Sequence, residues 1–592
     1  LLNHRGPDYA ASSFFENVAL GHTRLSILDP STMGHQPMHD DGQRVFVTYN
    51  GEIYNYKNLT RTLKKRGYRF HSETDTEVLV NGYLEWGISG LLKRIEGMFA
   101  FCLYDKSEKK LYAVRDRFGL KPIYFSLVDG SIVISSEIKS ISALRTAPEL
   151  DDLYMYSSLF YLRSRVGNRT AIQGISEIMP GCYLELDEKR LDEKQKTAVS
   201  TKQYFDPLKS INSKTYEGNK NRSLGNKVIE LKRLLEESIE KHLVSDADLG
   251  ILYSGGLDSS IVAALAGRIK PGLKFFHSEA EKFKESTRYA RMLAEKFDHR
   301  LFLCKQDRDY LPYLPHHIYH FETVCTRSDV AYSFLCKTAA EQGVKVVLSG
   351  DAADEVFGGY DVYHIINDVS RSKQNNSPSL EALLMSGHSD PQKMCMPLDF
   401  LFFGGTRRER WDKCLDRYSF VKKPNERNCL AYMLENLTGN LVTKFLHRGD
   451  RAGMMHSVEV RVPFLYRPVV DFALNLPLRD KMRKENNAWT GKVILRELAT
   501  LLGIPDEIVH RPKVGLVTSF ETSLARLRPL FKKSVLREYW DMEDKVFETY
   551  LNADQLYFWA FLNYEILIRI FIQGEDPEDI SSEIKGCLMR AQ

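Results

Sequence analysis

Residues 254–260 read SGGLDSS and directly follow the apolar segment LGILY, a candidate strand. Two glycines leave room for backbone N–H groups to close around an anion, and three serines add hydroxyl donors. Asp258 would repel a phosphate but suits a Mg²⁺ ion beside one, and no lysine follows at the spacing of the common nucleoside triphosphatase loop. The run predicts a pyrophosphate site held by backbone and metal, although a tight strand-to-helix turn is the alternative. Its residues are Ser254, Gly255, Gly256, Asp258, Ser259 and Ser260.

A second acidic loop follows another apolar segment. Residues 348–360 read LSGDAADEVFGGY, come at the end of VKVVL, and contain Asp351, Asp354 and Glu355. Three carboxylates at the end of a strand repel one another unless a cation or protons relieve the repulsion. A plain surface cluster is the alternative. Two such loops favour a shared site for magnesium and pyrophosphate.

The elements around these loops alternate between strand and helix. In chain order they are VIELKRLLEESIEKHL, a helix; LGILY, a strand; SSIVAALAGRI, a helix; LKFFH, a strand; and, further on, the strand VKVVL. Such alternation predicts an α/β doubly wound parallel sheet, in which ligands bind beyond the carboxyl ends of the strands. Residues 361–592 are mostly helical in pattern and form the helical C-terminal part.

The first 207 residues have a different pattern of short strands and tight turns. RVFVTYNGEIYNY carries an Asn-Gly turn signal, and IYFSLVDGSIVISSE predicts a hairpin that turns at Asp129-Gly130. Between them lie two helical patterns that end at glycine, YKNLTRTLKKRG and TEVLVNGYLEWG. We predict an α+β domain over 1–207, with two antiparallel sheets covered by helices, then a polar linker over 208–227 and the doubly wound domain over 228–592.

The amino-acid composition limits the classes of binding partner that we expect. The chain has 82 Lys and Arg and 78 Asp and Glu, so its net charge is only +4. This is not the excess of positive charge that is typical of nucleic-acid-binding proteins. No apolar run reaches the roughly 18 residues that a membrane-spanning helix needs. The nine cysteines are scattered without a C-x-x-C pair, which favours reduced thiols in a cytoplasmic protein. We therefore expect small-molecule partners, and neither nucleic acid nor a membrane.

Motifs in both halves together resemble one family. SGGLDSS, SGDAADEVFGGY, RGDRAGMMHSVEVRVPFL and RPKVGL in the second half are similar to the glutamine-dependent asparagine synthetases of the B type. HRGPD, RLSILD, NGEIYN, TDTEV, GMFAFCLYD and RDRFGLKPIYF in the first half resemble a class II glutamine amidotransferase. The resemblance covers nearly the whole chain. It implies an Ntn-hydrolase-like first domain and a PP-loop synthetase as the second.

The resemblance also implies a reaction, with ATP and Mg²⁺ as cofactors. A carboxylate, aspartate in the family, attacks the α-phosphorus of MgATP and gives an acyl-adenylate and pyrophosphate. Ammonia released from glutamine in the other domain travels through an internal channel and displaces AMP, which leaves an amide. A homodimer is a further implication of the resemblance.

Carried onto this chain, the family's synthetase site makes Asp258 and Asp354 the Mg²⁺ ligands and Asp351 the acid needed for adenylate formation. Lys513 lies where a family lysine stabilises charge on the phosphates, although a solvated loop lysine is the alternative. Other residues are expected to contact ATP beside the 254–260 loop: Leu252, Ser349, Gly350 and, as a second cation, Arg327. Asp450 and Arg451 are interpreted as a structural ion pair.

In the first half, the resemblance assigns a glutamine site. Arg24 is expected to bind the α-carboxylate and Asp75 the α-ammonium of glutamine. Asn50 and the N–H of Gly51 match the oxyanion hole, and Glu52 belongs to the same wall. Taken singly, Arg24 could be a residue on the surface of a sheet and Asn50 a turn residue, but their joint spacing favours the glutamine site.

The nucleophile of the family is an N-terminal cysteine whose own α-amino group serves as base. This sequence begins at Leu1, and its first cysteine is Cys102. We expect a segment carrying the Cys-Gly start to precede Leu1. The alternative is a domain that has lost glutaminase activity, so that the enzyme depends on free ammonia.

Other departures from the family concern the acceptor. HSEAEKFKES replaces a glycine-containing loop, Tyr466 stands where aspartate is usual, and RPKVGL replaces a Gln-Gly-Phe pattern. Aspartate remains the expected acceptor, but amidation of another carboxylate, as in antibiotic or surface-polysaccharide pathways, is an alternative. A non-catalytic binding homologue and an RNA-modifying adenylating enzyme are further alternatives. Intact Asp258, Asp354 and Lys513 argue against the former and the near-neutral charge against the latter.

Overall fold

The computed structural model describes residues 1–155, 166–188, 199–279, 284–305, 310–369, 404–485, 488–511, 524–553 and 555–589. Lys513 and most of the RPKVGL motif lie outside these residues, as do residues 280–283 of the charged HSEAEKFKES segment.

The strands of the first half are short and separated by turns. They are β1 Tyr9–Phe14, β2 Ala19–Arg24, β3 Met38–His39, β4 Val45–Ile53, β5 Gly97–Asp105, β6 Lys110–Arg115, β7 Tyr124–Val128, β8 Ser131–Ser135, β9 Ser176–Glu177, β10 Cys182–Asp187 and β11 Val199–Gln203. Helices α1 Tyr56–Lys64, α2 Thr76–Arg94 and α3 Ile138–Ser142 lie among them, with single 3₁₀ turns at Asn3–Arg5 and Thr32–Gly34.

These strands form antiparallel sheets covered by helices, as expected. In the part of the chain that the structure describes, one sheet has the order β11-β10-β6-β5-β4-β3 and another the order β8-β7-β9. Helix α1 buries Tyr56, Leu59 and Leu63, which recur at helical spacing and pack into the core beneath the larger sheet. The predicted hairpin turn is confirmed, because Val128 pairs with Ser131 around Asp129-Gly130.

The second turn signal, Asn50-Gly51, was wrong. Both residues lie inside β4, where Asn50 pairs with Ala100 and Gly51 with Phe99 of β5. Gly51 has φ of +147°, and a Cβ atom at this position would overlap with the carbonyl oxygen of Met98. Glycine therefore serves close contact between two strands here and not a reversal of the chain.

The second half contains the predicted parallel sheet. Its strands are β12 Leu249–Leu252, β13 Lys274–Glu279, β14 Arg300–Lys305, β15 Val346–Leu348 and β16 Glu459–Arg461. All pairings are parallel, in the order β14-β13-β12-β15-β16 within the described residues. The strand order reverses between β12 and β15, so the two acidic loops leave neighbouring strands at the switch point of the sheet.

Helices surround this sheet and form the C-terminal part. They are α4 Ser213–Asn221, α5 Leu224–His242, α6 Leu257–Ile269, α7 Lys284–Lys296, α8 Leu314–Phe321, α9 Arg327–Glu341, α10 Ala353–Phe357, α11 Asp361–Val369, α12 Gly404–Arg417, α13 Pro424–Thr438, α14 His447–Met454, α15 Arg467–Leu474, α16 Leu478–Lys481, α17 Val493–Leu501, α18 Asp506–Val509, α19 Val535–Tyr539, α20 Asp544–Ala553, α21 Gln555–Phe571 and α22 Pro577–Met589. A π-helical segment, Leu441–Leu446, leads into α14, and the hairpin of β17 Met482–Glu485 and β18 Ala488–Gly491 precedes α17. The 3₁₀ segments here are Pro207–Ser210, Leu311–Tyr313, Pro463–Leu465 and Leu524–Lys533.

The segment 208–227, which we predict to be a polar linker, contains helix α4, Ser213–Asn221, and the start of α5. Helix α4 starts after Asn212, whose side-chain oxygen accepts the N–H of Thr215 at 3.0 Å. Tyr216 is buried, and Asn219 donates to the carbonyl oxygen of Asn475 at 3.0 Å. The segment thus packs onto the second half, which composition alone does not reveal.

Among the described helices, none combines the length and the apolar character that crossing a bilayer would require.

Candidate active sites

The loop after β12 is shaped by hydrogen bonds among its own residues. Oγ of Ser254 accepts the N–H of Gly256 at 3.2 Å, and Ser260 donates its hydroxyl to the carbonyl oxygen of Gly256 at 2.7 Å. Gly255 has φ of +69°, and a Cβ atom here would lie 2.8 Å from the carbonyl oxygen of Ser286. Only glycine fits such a position, and α6 begins directly after Gly256, with its positive end beside the loop.

The two acidic loops come into direct contact at Gly350. A Cβ atom at Gly350 would lie 2.8 Å from the backbone nitrogen of Ser259, so any side chain would separate the loops. Both loops line one cavity of about 850 Å³. The predicted residues that line it are Leu252, Ser254, Gly256, Asp258, Ser259, Ser349, Gly350, Asp351 and Asp354.

A lysine that sequence reasoning missed joins the loops. Nζ of Lys492 lies 2.5 Å from Oδ2 of Asp258 and 2.6 Å from Oδ1 of Asp354. Burial alone would lower the pKa of Lys492, but the two carboxylates raise it above its ordinary value. A Cβ atom at Gly359 would overlap with Asp354 and with the Lys492 side chain, so glycine is needed beside this cluster.

Asp351 has separate partners in the same cavity. Oδ1 accepts a hydrogen bond from the Arg448 guanidinium at 2.8 Å, and Oδ2 accepts the hydroxyl of Tyr332 at 2.9 Å. The Arg448 guanidinium also lies 4.6 Å from the centre of the Tyr332 ring and 5.0 Å from that of Phe445. Asp351 is therefore held in one orientation beside the loops.

The remaining predicted ATP residues lie elsewhere. Gly255 and Ser260 belong to the loop but are not among the residues that line the cavity. Arg327 also lies outside the lining, with its guanidinium 6.0 Å from the centre of the Trp559 ring, so the geometry gives its ATP assignment no support. Lys513 is outside the described residues, although Arg511 of the same motif donates to the carbonyl oxygen of Gly255 at 2.9 Å.

A second cavity, of about 190 Å³, lies in the first half. It is lined by all the residues predicted to bind glutamine: Arg24, Asn50, Gly51, Glu52 and Asp75. Nδ2 of Asn50 is buried and has no hydrogen-bond partner among the described residues. A buried amide of this kind is a candidate donor to a ligand oxygen.

Arg24 and Asp75 are fixed by their surroundings. Arg24 donates to the carbonyl oxygens of Ser31 at 2.8 Å and Leu28 at 3.1 Å. Oδ2 of Asp75 accepts the hydroxyl of Tyr49 and the N–H of Ile53, both at 2.7 Å. Burial nevertheless raises the pKa of Asp75 to about 6.

Glu52 connects this cavity to the second half. Its Oε1 lies 2.9 Å from Nη2 of Arg461 on β16. Burial raises the pKa of Glu52, whereas Arg461 lowers it. The carbonyl oxygen of Arg461 accepts the N–H of Ser349 at 2.9 Å, so one residue touches a residue of each site.

Cys102 also lines the first cavity. Burial raises the pKa of its thiol to about 12, which makes this cysteine a poor nucleophile near neutral pH.

Asp450 and Arg451 do form ion pairs, but with other residues and not with each other. Asp450 pairs with Arg5 at 2.9 Å, and Arg451 pairs with Glu137 at 2.9 Å and with Glu322 at 2.7 Å. Neighbouring residues of a helix do not face each other, so each charge finds a partner on another element.

The residues that were missed share one property: their partners are distant in the sequence. Lys492 is 234 residues from Asp258, and Arg448 is 97 residues from Asp351. Arg448 is the first residue of the RGDRAGMMHS motif, so its place in that motif could have indicated a functional role. GKVILRE, which contains Lys492, has no local pattern of a phosphate or carboxylate site.

Comparisons with known proteins agree with this two-site arrangement. A family model described as asparagine synthase matches residues 230–562, and one described as glutamine amidotransferase domain matches residues 1–197. Asparagine synthetase [glutamine-hydrolyzing] 1 of Bacillus subtilis is 28% identical over 543 residues, with 87% of this chain and 82% of that protein covered. Asparagine synthetase [glutamine-hydrolyzing] 3 of the same organism is 28% identical over 596 residues, with 94% of this chain and 88% of that protein covered.

A fungal protein with a different name is similar over the same extent. Amidase chry2 of Gibberella zeae is 26% identical over 584 residues, with 87% of this chain and 83% of that protein covered. Since the asparagine synthase model spans more than half of the sequence, the chain belongs to the asparagine synthase family and carries an N-terminal glutamine amidotransferase domain.

Proposed function

We propose that this protein joins nitrogen to a carboxylic acid at the expense of ATP, with aspartate as the expected acceptor and asparagine as the product. The observation that carries the proposal is the meeting of Asp258 and Asp354, from two loops, at Lys492 in the cavity that also contains Asp351. Glutamate, AMP and pyrophosphate are the other products when glutamine is the nitrogen donor.

The residues of the larger cavity suit adenylation. An oxygen of the acceptor carboxylate attacks the α-phosphorus of ATP, and the bond to the β-phosphate oxygen breaks. The leaving pyrophosphate gains negative charge, which the amino end of α6, Lys492 and, by its place in the motif, Lys513 are suited to stabilise. Asp351, held by Arg448 and Tyr332, lies at the same cavity in the role of the acid that adenylation needs.

The residues also fit magnesium. Asp258 and Asp354 place carboxylate oxygens within 2.6 Å of one shared ammonium group, so their oxygens converge on a point that a cation occupies. The described residues contain no group of three side chains that would bind a metal on their own. Mg²⁺ commonly binds through one or two carboxylates together with substrate phosphates, and it neutralises phosphate charge when bound. We assign Asp258 and Asp354 to this role.

The smaller cavity suits glutamine. Arg24 and Asp75 provide the two charges that recognise an α-amino acid, and Asn50 with the N–H of Gly51 provides donors for a developing oxyanion. A further cavity of about 10 Å³ is lined by Asp351 and Phe445, which also line the ATP cavity, and by Asp450. Arg5, the partner of Asp450, lines the glutamine cavity, so one contact connects the wall of this small cavity with the glutamine cavity, along the route that we propose for ammonia.

Pyrophosphate release tests the proposal. We expect release when the purified protein meets MgATP, L-aspartate and ammonium, and asparagine should appear in equal amount. Asp258→Ala is expected to abolish both products while the thermal transition is retained. If the wild-type protein releases no pyrophosphate with any carboxylic acid tried, the proposal that it is an enzyme is overturned.

A second candidate differs in the acceptor. The similarity to a fungal amidase is nearly as high as that to the asparagine synthetases, and the cavity wall carries Tyr332, Tyr360, Phe445 and Trp489. An aromatic wall favours acceptors with apolar surface. Pyrophosphate release with such an acid, and none with aspartate, would favour this candidate.

A further inference from the structure

Helix α14 lies between the two sites and contacts residues of both. It follows the π-helical segment Leu441–Leu446, an uncommon conformation that is frequent at functional sites. A Cβ atom at Gly453 would overlap with the carbonyl oxygen of Val458, so the helix packs directly against the chain that leads into β16. The helix is thereby fixed close to the sheet on one side.

Near its amino end, α14 presents Arg448 to the ATP cavity. Arg448 is buried, and its guanidinium donates to Oδ1 of Asp351 at 2.8 Å between the rings of Tyr332 and Phe445. Burial alone would lower the pKa of Arg448, but Asp351 raises it. The position of α14 therefore sets the position of the cation that holds Asp351.

Two residues further on, α14 is held by the amidotransferase domain. Arg5 donates to both carboxylate oxygens of Asp450, at 2.9 and 3.0 Å, and to Oε1 of Glu137 at 3.0 Å. Arg451 lies 2.9 Å from the same oxygen of Glu137. A two-pronged contact fixes orientation as well as distance.

Glu322, at the end of α8, completes the contact. It pairs with Arg451 at 2.7 Å, and it accepts the N–H groups of Ile138 at 2.8 Å and Lys139 at 2.6 Å, where α3 begins. Arg451 and Glu322 are fully enclosed, with 0% of either side chain exposed. Charges this deeply buried are costly to separate from their partners.

Two carboxylates at this contact, those of Asp450 and Glu137, are stabilised as ions. Burial would raise the pKa of Asp450 and of Glu137, but Arg5 lowers the former, and Arg451 with Lys139 lowers the latter well below its ordinary range. Near neutral pH both carboxylates are therefore ionised and fully paired.

We propose that the pair Arg5–Asp450 is a positioning contact for the synthetase reaction: the amidotransferase domain orients α14, and α14 orients Asp351 through Arg448. This inference rests on the proposed function and deepens it. It follows that adenylation depends on the docked amidotransferase domain even when ammonia is supplied from solution and no glutamine is hydrolysed.

The test uses Asp450→Asn in the full chain, with ammonium as the nitrogen donor. MgATP-binding sites per chain are counted by calorimetry, and pyrophosphate release is expressed per binding site, so that unfolded protein does not contribute. We expect the turnover per site to fall about tenfold or more, because small displacements of a catalytic group are costly, while the KM for ATP stays unchanged. Asp450→Glu keeps the charge and the reach to Arg5, and it should recover most of the turnover.

Lys345→Gln is the matched control. It removes another ion pair between the two halves, Lys345 with Asp8 at 2.7 Å, and neither residue lines the ATP cavity or the glutamine cavity. Turnover per site of Lys345→Gln should equal that of the wild type. A turnover of Asp450→Asn equal to this control would overturn the proposal.

Arg5→Lys decides the matter if Asp450→Asn binds no MgATP. It keeps the charge but loses the two-pronged contact, so turnover per site should fall about threefold or more, and wild-type turnover would overturn the positioning role. A wild-type protein that releases no pyrophosphate with any acid overturns the proposed function itself, and the positioning role with it.

Discussion

Nζ of Lys492 lies 2.5 Å from Oδ2 of Asp258, although 234 residues separate the two in the chain. The contact brings the amino end of α17 to the first turn of α6, at the edge of the sheet where the strand order reverses. The same ammonium reaches Asp354, so one cation relieves the repulsion between carboxylates on two loops.

Replacement of Lys492 by methionine should therefore reduce adenylation strongly. The change removes the positive charge between the two loops and leaves two partly buried carboxylates facing each other. We expect pyrophosphate release to fall about 100-fold or more, as for the loss of one group that stabilises charge in a transition state. Release is measured with saturating MgATP and ammonium, and Lys345→Gln serves as the control because Lys345 lies outside both cavities. Undiminished release in Lys492→Met would contradict the assignment.

Gly359→Ala should disturb the same cluster by shape alone. The added methyl group would overlap with Asp354 and with the Lys492 side chain, and relief of such crowding in a packed site costs about 1–3 kcal/mol. We expect weaker MgATP binding, measured by calorimetry, together with a lower thermal transition. Gly218→Ala is the control, because a Cβ atom at this position in α4 meets nothing within 4 Å. Equal MgATP affinity in the two variants would show that the methyl group is accommodated.

Glutamine binding should weaken as the pH falls through about 6. Burial raises the pKa of Asp75 to about 6, and a protonated carboxyl group cannot pair with the α-ammonium of glutamine. Affinity for L-glutamine, measured by calorimetry above and below this pH, should therefore be highest at the alkaline end. Tyr49→Phe removes a hydrogen bond that favours the ionised form, so it should move the midpoint to higher pH. An affinity independent of pH would be incompatible with a role for Asp75.

Stability should decrease in mild acid because of His242. Burial, partly offset by the carbonyl oxygen of Ser238, lowers the pKa of His242 from 6.5 to about 3. The unfolded chain takes up this proton first, so the stabilisation is fully present above pH 6.5 and is lost as the pH falls towards 3. Between pH 6.5 and about pH 4.5 the loss amounts to about 2 kcal/mol from this residue.

His242→Gln should flatten this dependence. Thermal transitions of the wild type and the variant are compared across the acid range. The exposed His39, changed to glutamine, provides the control and should leave the wild-type dependence in place. Parallel curves for wild type and His242→Gln would assign the acid sensitivity to other residues.

Local signals in the sequence predicted those features whose cause is itself local. The hairpin at Asp129-Gly130 and the glycine-rich loop after β12 depend on backbone conformations that only a few neighbouring residues determine. The positions of the two acidic loops followed from strand alternation, because parallel strands place their carboxyl ends at one edge of a sheet.

Features that depend on distant partners were not predictable in this way. Asn50-Gly51 has the composition of a turn, yet contact with Met98 and Phe99 keeps it within a strand. Helix α4 has a polar composition, yet Tyr216 becomes buried, its ring 5.3 Å from that of Phe420. In both cases tertiary contacts outweigh a weak local preference.

Glu322 accepts two backbone N–H groups in the first turn of α3, and this contact matters for chimaeras that combine halves from different relatives. An amidotransferase domain grafted from a relative would have to present two free amide groups at this same spot, or the buried carboxylate of Glu322 would lose two of its hydrogen bonds and keep Arg451 of its own half as a partner. If one half is exchanged and the new half lacks the residues that make this contact, the interface between the halves would not fit, even if each half carried an intact catalytic pocket.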